Sequence, residues 1–419
     1  MIGLFAGRTS FLSARASEEV SRQCGTRPGK EQEFMAQRPC WAEISLNQLK
    51  ENFKLVRRHV GAERKVLSVV KADAYGHGAV PCARALEEAG TDALGVASVA
   101  EGVELRQGGI RAPVVVLTGF FPGEERELLE FNLTPGITEL GQLELLEKAA
   151  AAAVPKLREK VRCHLKFDTG MGRLGIPCAQ LPRLFELLPT LRAVEVEGLY
   201  THFAAAEDFT TDQTEEQIAR FEKVRGECAA RGLTPPLIHL CNTGGVVARP
   251  EAWGTMVRPG SMLWGYLSFF KFPAGKDRTA EFAEKLPVRP VLTLKAQVYT
   301  IRELPSGAPL GYGANFVAAR PTRIAILPVG YGDGWRRGLS GRARIILRGQ
   351  FAPLVGTIGM DLTFADVTDV PGAGPGDDVV LIGTNGRLAI PPTEPAQALG
   401  TVASEVLSGL GKRVPRVYR

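Results

Sequence analysis

Between Ala42 and Met262 the chain repeats one pattern roughly eight times: a short apolar run, a turn, then a segment with helical spacing. The apolar runs are Lys65–Val70, Ala93–Val99, Pro113–Thr118, Leu133–Thr138, Val161–Phe167, Val194–Phe203, Pro236–Cys241 and Met256–Met262, the last interrupted at Arg258-Pro259-Gly260. The first helical segment opens at Ser45, a capping residue, and carries Leu49, Phe53 and Val56 at helical spacing. Others follow over Val80–Ala89, after a Ser98/Glu101 capping-box pair, and over Gly123–Phe131, Glu139–Ala153 and Ala179–Leu188. A further helix starts at Asp212, capped with Glu215, and aligns Ile218, Phe221, Val224 and Cys228. Strands this apolar are buried on both faces, and the count predicts a (β/α)8 TIM-type barrel. A doubly wound sheet is the competing arrangement, but no Gly-x-Gly-x-x-Gly turn follows the first strand.

Past about Lys285 the pattern changes. Val291–Thr300, Arg323–Leu327, Arg342–Leu347 and Val379–Ile382 are β-type runs separated by Gly/Pro clusters, and helical spacing returns only over Pro395–Gly409. The expected division is a barrel domain over 39–285 and a mostly β domain over 286–419, after a disordered extension over 1–38. That extension has an apolar stretch too short for a signal peptide, and Glu18, Glu19, Glu31 and Glu33 argue against a transit peptide. No run is long and apolar enough to span a membrane, which gives an expectation of a cytoplasmic protein. The net charge of +6 is dispersed, so nucleic acid is not an expected partner. The seven cysteines are widely spaced without a Cys-x-x-Cys pair, and the five histidines lack metal spacing; no metal site and no disulfide framework are expected.

The chemistry-bearing residues fall at the ends of the apolar runs. Lys71 ends the first run and is followed by Asp73, Tyr75, Gly76 and Gly78. A lysine desolvated there is nucleophilic and can form a Schiff base; a lone lysine more often only snorkels off a strand end. Asp168, Arg173, His202, Asn242, Thr243, Arg258 and Gly260 also stand at strand ends, where barrels gather function. Lys166 and Asp168 share a strand face with His164, so these polar groups need partners. Thr243, Gly244, Gly260 and Ser261 can cradle a phosphate with hydroxyls and N–H groups, although plain turn chemistry explains the same residues. A lysine and a phosphate site in one barrel point to pyridoxal 5′-phosphate. Arg258 can face its ring nitrogen, donating a hydrogen bond without ever taking a proton; a surface ion pair is the ordinary alternative for an arginine. His202 reads either as a neighbour of the cofactor ring or as a core histidine. In the second domain Tyr312, Tyr331 and Met360 lie in glycine-rich turns, which as bare patterns are β-turns with aromatic neighbours.

From about Arg38 to Arg419 the chain resembles the alanine racemases. The motifs that carry the likeness are Val-Val-Lys71-Ala-Asp-Ala-Tyr75-Gly-His-Gly, Lys166-Phe-Asp-Thr-Gly-Met-Gly-Arg173, Tyr-Thr-His202-Phe, Asn242-Thr243, Arg258-Pro-Gly260, Gly-Tyr312-Gly-Ala, Gly-Tyr331-Gly-Asp-Gly, Gly-Met360-Asp361 and Arg413-Val-Pro-Arg416. The resemblance implies a pyridoxal-phosphate isomerase that interconverts L- and D-alanine as a homodimer and supplies D-alanine to the bacterial cell wall. It implies that Lys71 holds the cofactor and serves as one base, with Tyr312 from the other subunit as the second. Tyr75, Thr243, Gly260 and Ser261 would hold the phosphate, with Asn242 beside them. Arg258 would meet the ring nitrogen with His202 in support. Arg173 would meet the ring hydroxyl and the substrate carboxylate, Met360 would offer that carboxylate a backbone N–H, and Tyr331 would narrow the entrance. Lys166 matches a position carbamylated in some members. The chain departs from the pattern at Thr243, where a serine is common, and at Lys412, where some members place a phosphate-contacting tyrosine. Two other readings are a non-catalytic pyridoxal-phosphate-binding barrel and a barrel-plus-β decarboxylase. The second domain speaks against the first, and Arg258, where such decarboxylases use an acid, speaks against the other.

Overall fold

The computed structural model describes residues 38–153, 160–267 and 269–419, and the expected disordered extension lies outside the described residues except for Arg38. Among the described residues, eight parallel strands line up in the order Met256–Val257, Lys65–Val69, Ala93–Val96, Val114–Val116, Thr134–Ile137, Val161–Asp168, Val194–Tyr200 and Leu237–His239. The two ends of this row meet. Thr255 N–H donates to Ile238 O at 2.9 Å and Arg258 N–H to Cys241 O at 3.0 Å, which brings the row to a nearly closed (β/α)8 barrel and removes the doubly wound alternative. Leu67, Val69, Ala93, Val115, Leu237 and Met256 pack together inside it. The rest of the interior is polar. Glycines make the room: a Cβ on Gly136 would sit 2.1 Å from Tyr200 Oη, and one on Gly198 within 3.0 Å of the His164 ring.

The helices cover the outside as their apolar stripes require. Ser45 Oγ accepts from Gln48 N at 3.2 Å and starts Leu46–Val60, whose buried residues include Leu49, Phe53 and Val56. Ser98 and Glu101 form the expected capping box before Val99–Gln107. The helix Gln213–Ala229 buries Phe221, Val224 and Cys228, but Asp212 makes no side-chain cap. Glu215 instead pairs with Arg249, so a tertiary ion pair takes the acid that the sequence assigns to local capping.

The C-terminal region is antiparallel. One sheet runs Gln350–Pro353, Arg344–Leu347, Asp378–Asn385, Leu292–Gln297, Cys40–Ile44, Arg416–Tyr418, and another runs Thr300–Leu304, Thr322–Leu327, Thr363–Asp366. The strand Cys40–Ile44 precedes the barrel in sequence, yet it pairs antiparallel with Leu292–Gln297 and parallel with Arg416–Tyr418. Its alternation of buried Cys40, Ala42 and Ile44 with half-exposed Trp41 and Glu43 suits one face against a core. Residues from both ends of the described chain therefore close one sheet. The final strand also brings Arg416 and Tyr418 against the start of the barrel.

Candidate active site

Lys71 follows directly on the inner strand Lys65–Val69, whose last residues are fixed by Val69 N–H to Pro259 O (3.0 Å) and Val70 N–H to Gly95 O (2.8 Å). The chain then makes a left-handed turn: Ala72, Asp73, Ala74 and Tyr75 have φ of 53°, 52°, 52° and 55°. Each L-residue in that conformation costs about 1–2 kcal/mol, so the turn persists only because its surroundings over-determine it. Ala72 N–H donates to Glu101 Oε1 at 2.7 Å and Ala79 N–H to Asp73 Oδ1 at 2.6 Å. Ala74 N–H donates to Val70 O at 2.8 Å, and Arg416 Nε donates to Gly76 O at 3.0 Å. A Cβ on Gly76 would lie 2.2 Å from Leu407 O, and one on Gly78 would lie 1.9 Å from Tyr418 Oη. The sequence predicts an ordinary loop here. The left-handed form is held by near residues such as Glu101 together with residues more than 300 positions away, Arg416 among them.

The turn brings Lys71 and Tyr75 to one cavity of about 190 Å3, shared with Val69, Leu117, His202, Glu207, Asn242, Thr243, Arg258, Gly260, Ser261 and Ser404. Burial, and the nearby Arg173 charge, push the Lys71 amine below its ordinary value. Thr243 Oγ1 accepts from Gly260 N–H at 2.9 Å, and Asn242 caps the short helix Thr243–Ala248 through Gly245 N–H at 3.0 Å. A Cβ on Gly260 would come within 2.6 Å of Tyr75 Oη, so this corner is a concavity of hydroxyls and backbone kept open by glycine.

Arg258 is 3% exposed, which rules out the surface ion-pair reading. Its Nη1 donates to His239 O (2.7 Å) and to His239 Nδ1 (2.9 Å). Its Nη2 donates to Thr201 O (2.8 Å) and Leu240 O (2.9 Å), with His202 Nδ1 at 3.3 Å. Burial lowers the guanidinium pKa to about 10, which leaves it charged at neutral pH. His202 is half-buried at the cavity wall; burial first, and the Arg258 charge next, hold it well below the ordinary histidine value, so it stays neutral.

Behind Arg258 lies an arrangement the sequence did not flag. His239 stacks on Tyr200 at 4.7 Å, and its Nε2 is 2.9 Å from His164 Nδ1. His164 Nε2 in turn faces Glu197 Oε2 at 3.5 Å. With Arg258 donating to His239 Nδ1, one consistent tautomer set follows: His239 carries its proton on Nε2, and His164 carries its own on Nε2, the atom that faces Glu197. Strand alternation gives His164 an inward face, but nothing in the sequence pairs it with His239.

Other sequence candidates stand apart from this cavity. Lys166 is 4% exposed, with its Nζ 5.7 Å from the Tyr200 ring centre, and burial, aided by Arg258, lowers its pKa to about 8. Asp168 Oδ1 accepts from Gly170, Met171 and Gly172 N–H at 3.0, 2.9 and 3.1 Å, shaping the loop that carries Arg173. Arg173 itself is exposed and lines a neighbouring hollow with Thr138 and Gln180. Tyr312, Tyr331 and Met360 are 76%, 42% and 53% exposed and lie together on the C-terminal region. Tyr331 N–H donates to Gly359 O at 3.0 Å and Gly332 N–H to Met360 O at 2.9 Å, while Tyr312 O accepts from Thr357 Oγ1 at 3.0 Å. None of these three lines the Lys71 cavity. Lys412 is exposed.

The fold and this site define a class: a (β/α)8 barrel with a half-buried lysine at the end of its first strand, followed by a C-terminal β domain. Two family models match it, "Alanine racemase, N-terminal domain" over residues 44–268 and "Alanine racemase, C-terminal domain" over residues 291–418. The chain belongs to the alanine racemase family and is an isomerase. It is 37% identical to the alanine racemase of Geobacter sulfurreducens over 92% of this chain and 98% of that one. It is 40% identical to that of Symbiobacterium thermophilum over 91% and 97%. Among solved structures, the alanine racemase of Streptomyces lavendulae superposes with a TM-score of 0.82 at 31% identity, covering 91% of this chain and 97% of that one.

Proposed function

We propose that this protein interconverts L- and D-alanine with pyridoxal 5′-phosphate as cofactor and two proton-moving side chains, Lys71 and Tyr312 of the partner subunit. The observation that carries the cofactor reading is the cavity itself. A lysine of lowered basicity, a hydroxyl-and-glycine concavity at Tyr75, Thr243, Gly260 and Ser261, and a buried Arg258 share one small space. These residues fit the group: Lys71 would hold it, the concavity would take its phosphate, and Arg258 would donate to its ring nitrogen. Pyridoxal 5′-phosphate bound there supplies an electron sink that acidifies the substrate α-C–H bond. Arg258 can only donate a hydrogen bond and never accept one, so opposite it the ring nitrogen would stay unprotonated and the sink would be tempered, which suits a reaction returning a proton to the same carbon. His202 supports Arg258 from the cavity wall, and Asn242 holds the phosphate loop in shape.

Burial, with the Arg173 charge, lowers the basicity of the Lys71 amine, which takes the α-proton of D-alanine and returns one to the same face. Tyr312 does the same on the opposite face for L-alanine. Its exposure in one chain, together with that of Tyr331 and Met360, supports a head-to-tail homodimer in which each C-terminal region covers the other barrel's cavity. In that assembly Met360 offers backbone N–H to the substrate carboxylate, Arg173 assists it, and Tyr331 narrows the entrance. The product places the reaction in the supply of D-alanine for cell-wall peptidoglycan, in the cytoplasm. Among the described residues no helix is long and apolar enough to cross a membrane.

Chiral analysis of the product, with the visible band of the Lys71-bound cofactor, tests the reading. Both enantiomers should converge on a racemic mixture, and Lys71→Ala should abolish band and conversion together, the latter by about 10^4 or more. L-Alanine that remains L-alanine under saturating cofactor while carbon dioxide is released would favour a decarboxylase instead.

A further inference from the structure

Residues 410–414 form a short loop between the last helix, Ala403–Ser408, and the last strand, Arg416–Tyr418. Two arginines, Arg413 within it and Arg416 just beyond it, grip it in opposite directions. Arg416 donates from Nη1 to Gly411 O (2.8 Å) and Val414 O (2.7 Å), and from Nη2 to Leu410 O (2.7 Å). Its Nε reaches Gly76 O at 3.0 Å, the end of the strained turn that presents Lys71. Arg413 points the other way. Its Nη2 donates to Asp361 Oδ1 at 2.7 Å and its Nε lies 3.1 Å from Asp333 Oδ1. Asp333 belongs to the Tyr331 turn, which it organises by accepting from Gly330 N–H at 2.8 Å; Asp361 follows Met360 directly. Gly411 N–H closes the circuit by donating to Asp333 O at 3.0 Å.

We infer that Arg416 and Arg413 are paired positioning residues: through residues 410–414, Arg416 sets the Lys71 turn of its own subunit's site, and Arg413 sets the Tyr331 and Met360 loops given to the partner's site. This rests on the shared-site reading above. The physical reason is strain. A left-handed turn of non-glycine residues relaxes unless it is held, and a planar guanidinium spanning carbonyls from both sides of a junction holds it more rigidly than a lysine ammonium does. Relaxing the turn displaces Lys71 relative to the α-carbon, and small displacements of a base cost rate steeply. The two arginines therefore act on different sites of one dimer, although they lie three residues apart.

Hybrid dimers test this. Pairing a Lys71→Ala subunit with a Tyr312→Phe subunit leaves one competent site, with Lys71 from the second chain and Tyr312 from the first. Arg416→Met should lower kcat at least tenfold when placed on the chain that supplies Lys71, and less than threefold on the chain that supplies Tyr312. Arg413→Met should show the reverse placement. Arg416→Lys should recover part of the loss. In Arg416→Met homodimers, the α-deuterium isotope effect should rise for D-alanine and stay constant for L-alanine. Independently of turnover, amide hydrogen exchange should quicken across 71–78 for Arg416→Met and across 330–333 and 359–361 for Arg413→Met. Equal losses from either placement would overturn the inference and reduce both residues to general braces. If Arg416→Met does not fold, Arg416→Lys in the same hybrids decides by the same asymmetry. A hybrid that is inactive with both arginines intact would sink the shared site itself, and this inference with it.

Discussion

The barrel and the C-terminal β region treat their polar residues in opposite ways. In the barrel, Arg258, His239, His164 and Lys166 are buried, and Arg258, His239 and His164 interlock at distances near 2.9 Å. In the β region, Tyr312, Tyr331 and Met360 stand exposed on loops that are held by their backbones and by the Arg413 pairs to Asp333 and Asp361, while their own side chains stay outside that network. The barrel half of the site is complete in one chain. In the reading proposed above, the β half is a surface that joins a site only when the partner subunit lies against it. Side-chain changes in the first should cost stability as well as activity, and changes in the second should cost activity alone.

The sharpest way to break this contrast is Arg258→Ala against Tyr331→Ala. The first leaves His239 O, Thr201 O and Leu240 O buried without their donor and should destabilise the fold by on the order of 3 kcal/mol or more. The second should stay within about 0.5 kcal/mol. Urea unfolding of both variants would show it, and equal losses would erase the distinction. A smaller effect is expected within the barrel half. Gly260→Ala places a methyl 2.6 Å from Tyr75 Oη, in the proposed phosphate concavity, and should weaken cofactor binding about tenfold, or roughly 1.4 kcal/mol, while the thermal midpoint of the cofactor-free protein changes little. Titration of the visible band measures it.

The last expectation is read as a slope against pH. Burial holds His77 down to about 4, its ring stacked on Trp264 at 4.7 Å and its Nδ1 within 2.9 Å of Ala74 O. The folded state keeps this ring neutral, while the unfolded chain protonates it near 6.5. Its contribution is complete above about pH 6.5 and is lost as pH falls toward 4, with a slope of up to about 1.4 kcal/mol per pH unit. His77→Phe should flatten the decline of the thermal midpoint across that window, and an unchanged slope would assign the acid sensitivity to other groups. Tyr312→Phe, on the exposed half, should leave the slope unaltered.

Much of the fold was legible because it follows from local rules. Apolar runs in alternation with capped helices predict a parallel α/β fold and favour a barrel over a doubly wound sheet, and the Gly/Pro-separated β runs mark the second region; the closure itself came from the contacts of Thr255 and Arg258. The strand Cys40–Ile44 was missed because a five-residue alternation gains its identity only from Leu292–Gln297 and Arg416–Tyr418, which are far away in sequence. The same holds for Asp212, whose cap lost to the tertiary pair between Glu215 and Arg249.

The sequence by itself determined which residue types end the barrel strands. Strand-end position depends on spacing, and spacing is written in one dimension. Only the tertiary structure decided that residues 72–75 turn left-handed, that His239 and His164 stand behind Arg258, and that Arg416 holds Gly76 O. Those features come from contacts between distant segments, where packing overrides the conformation each segment would choose alone.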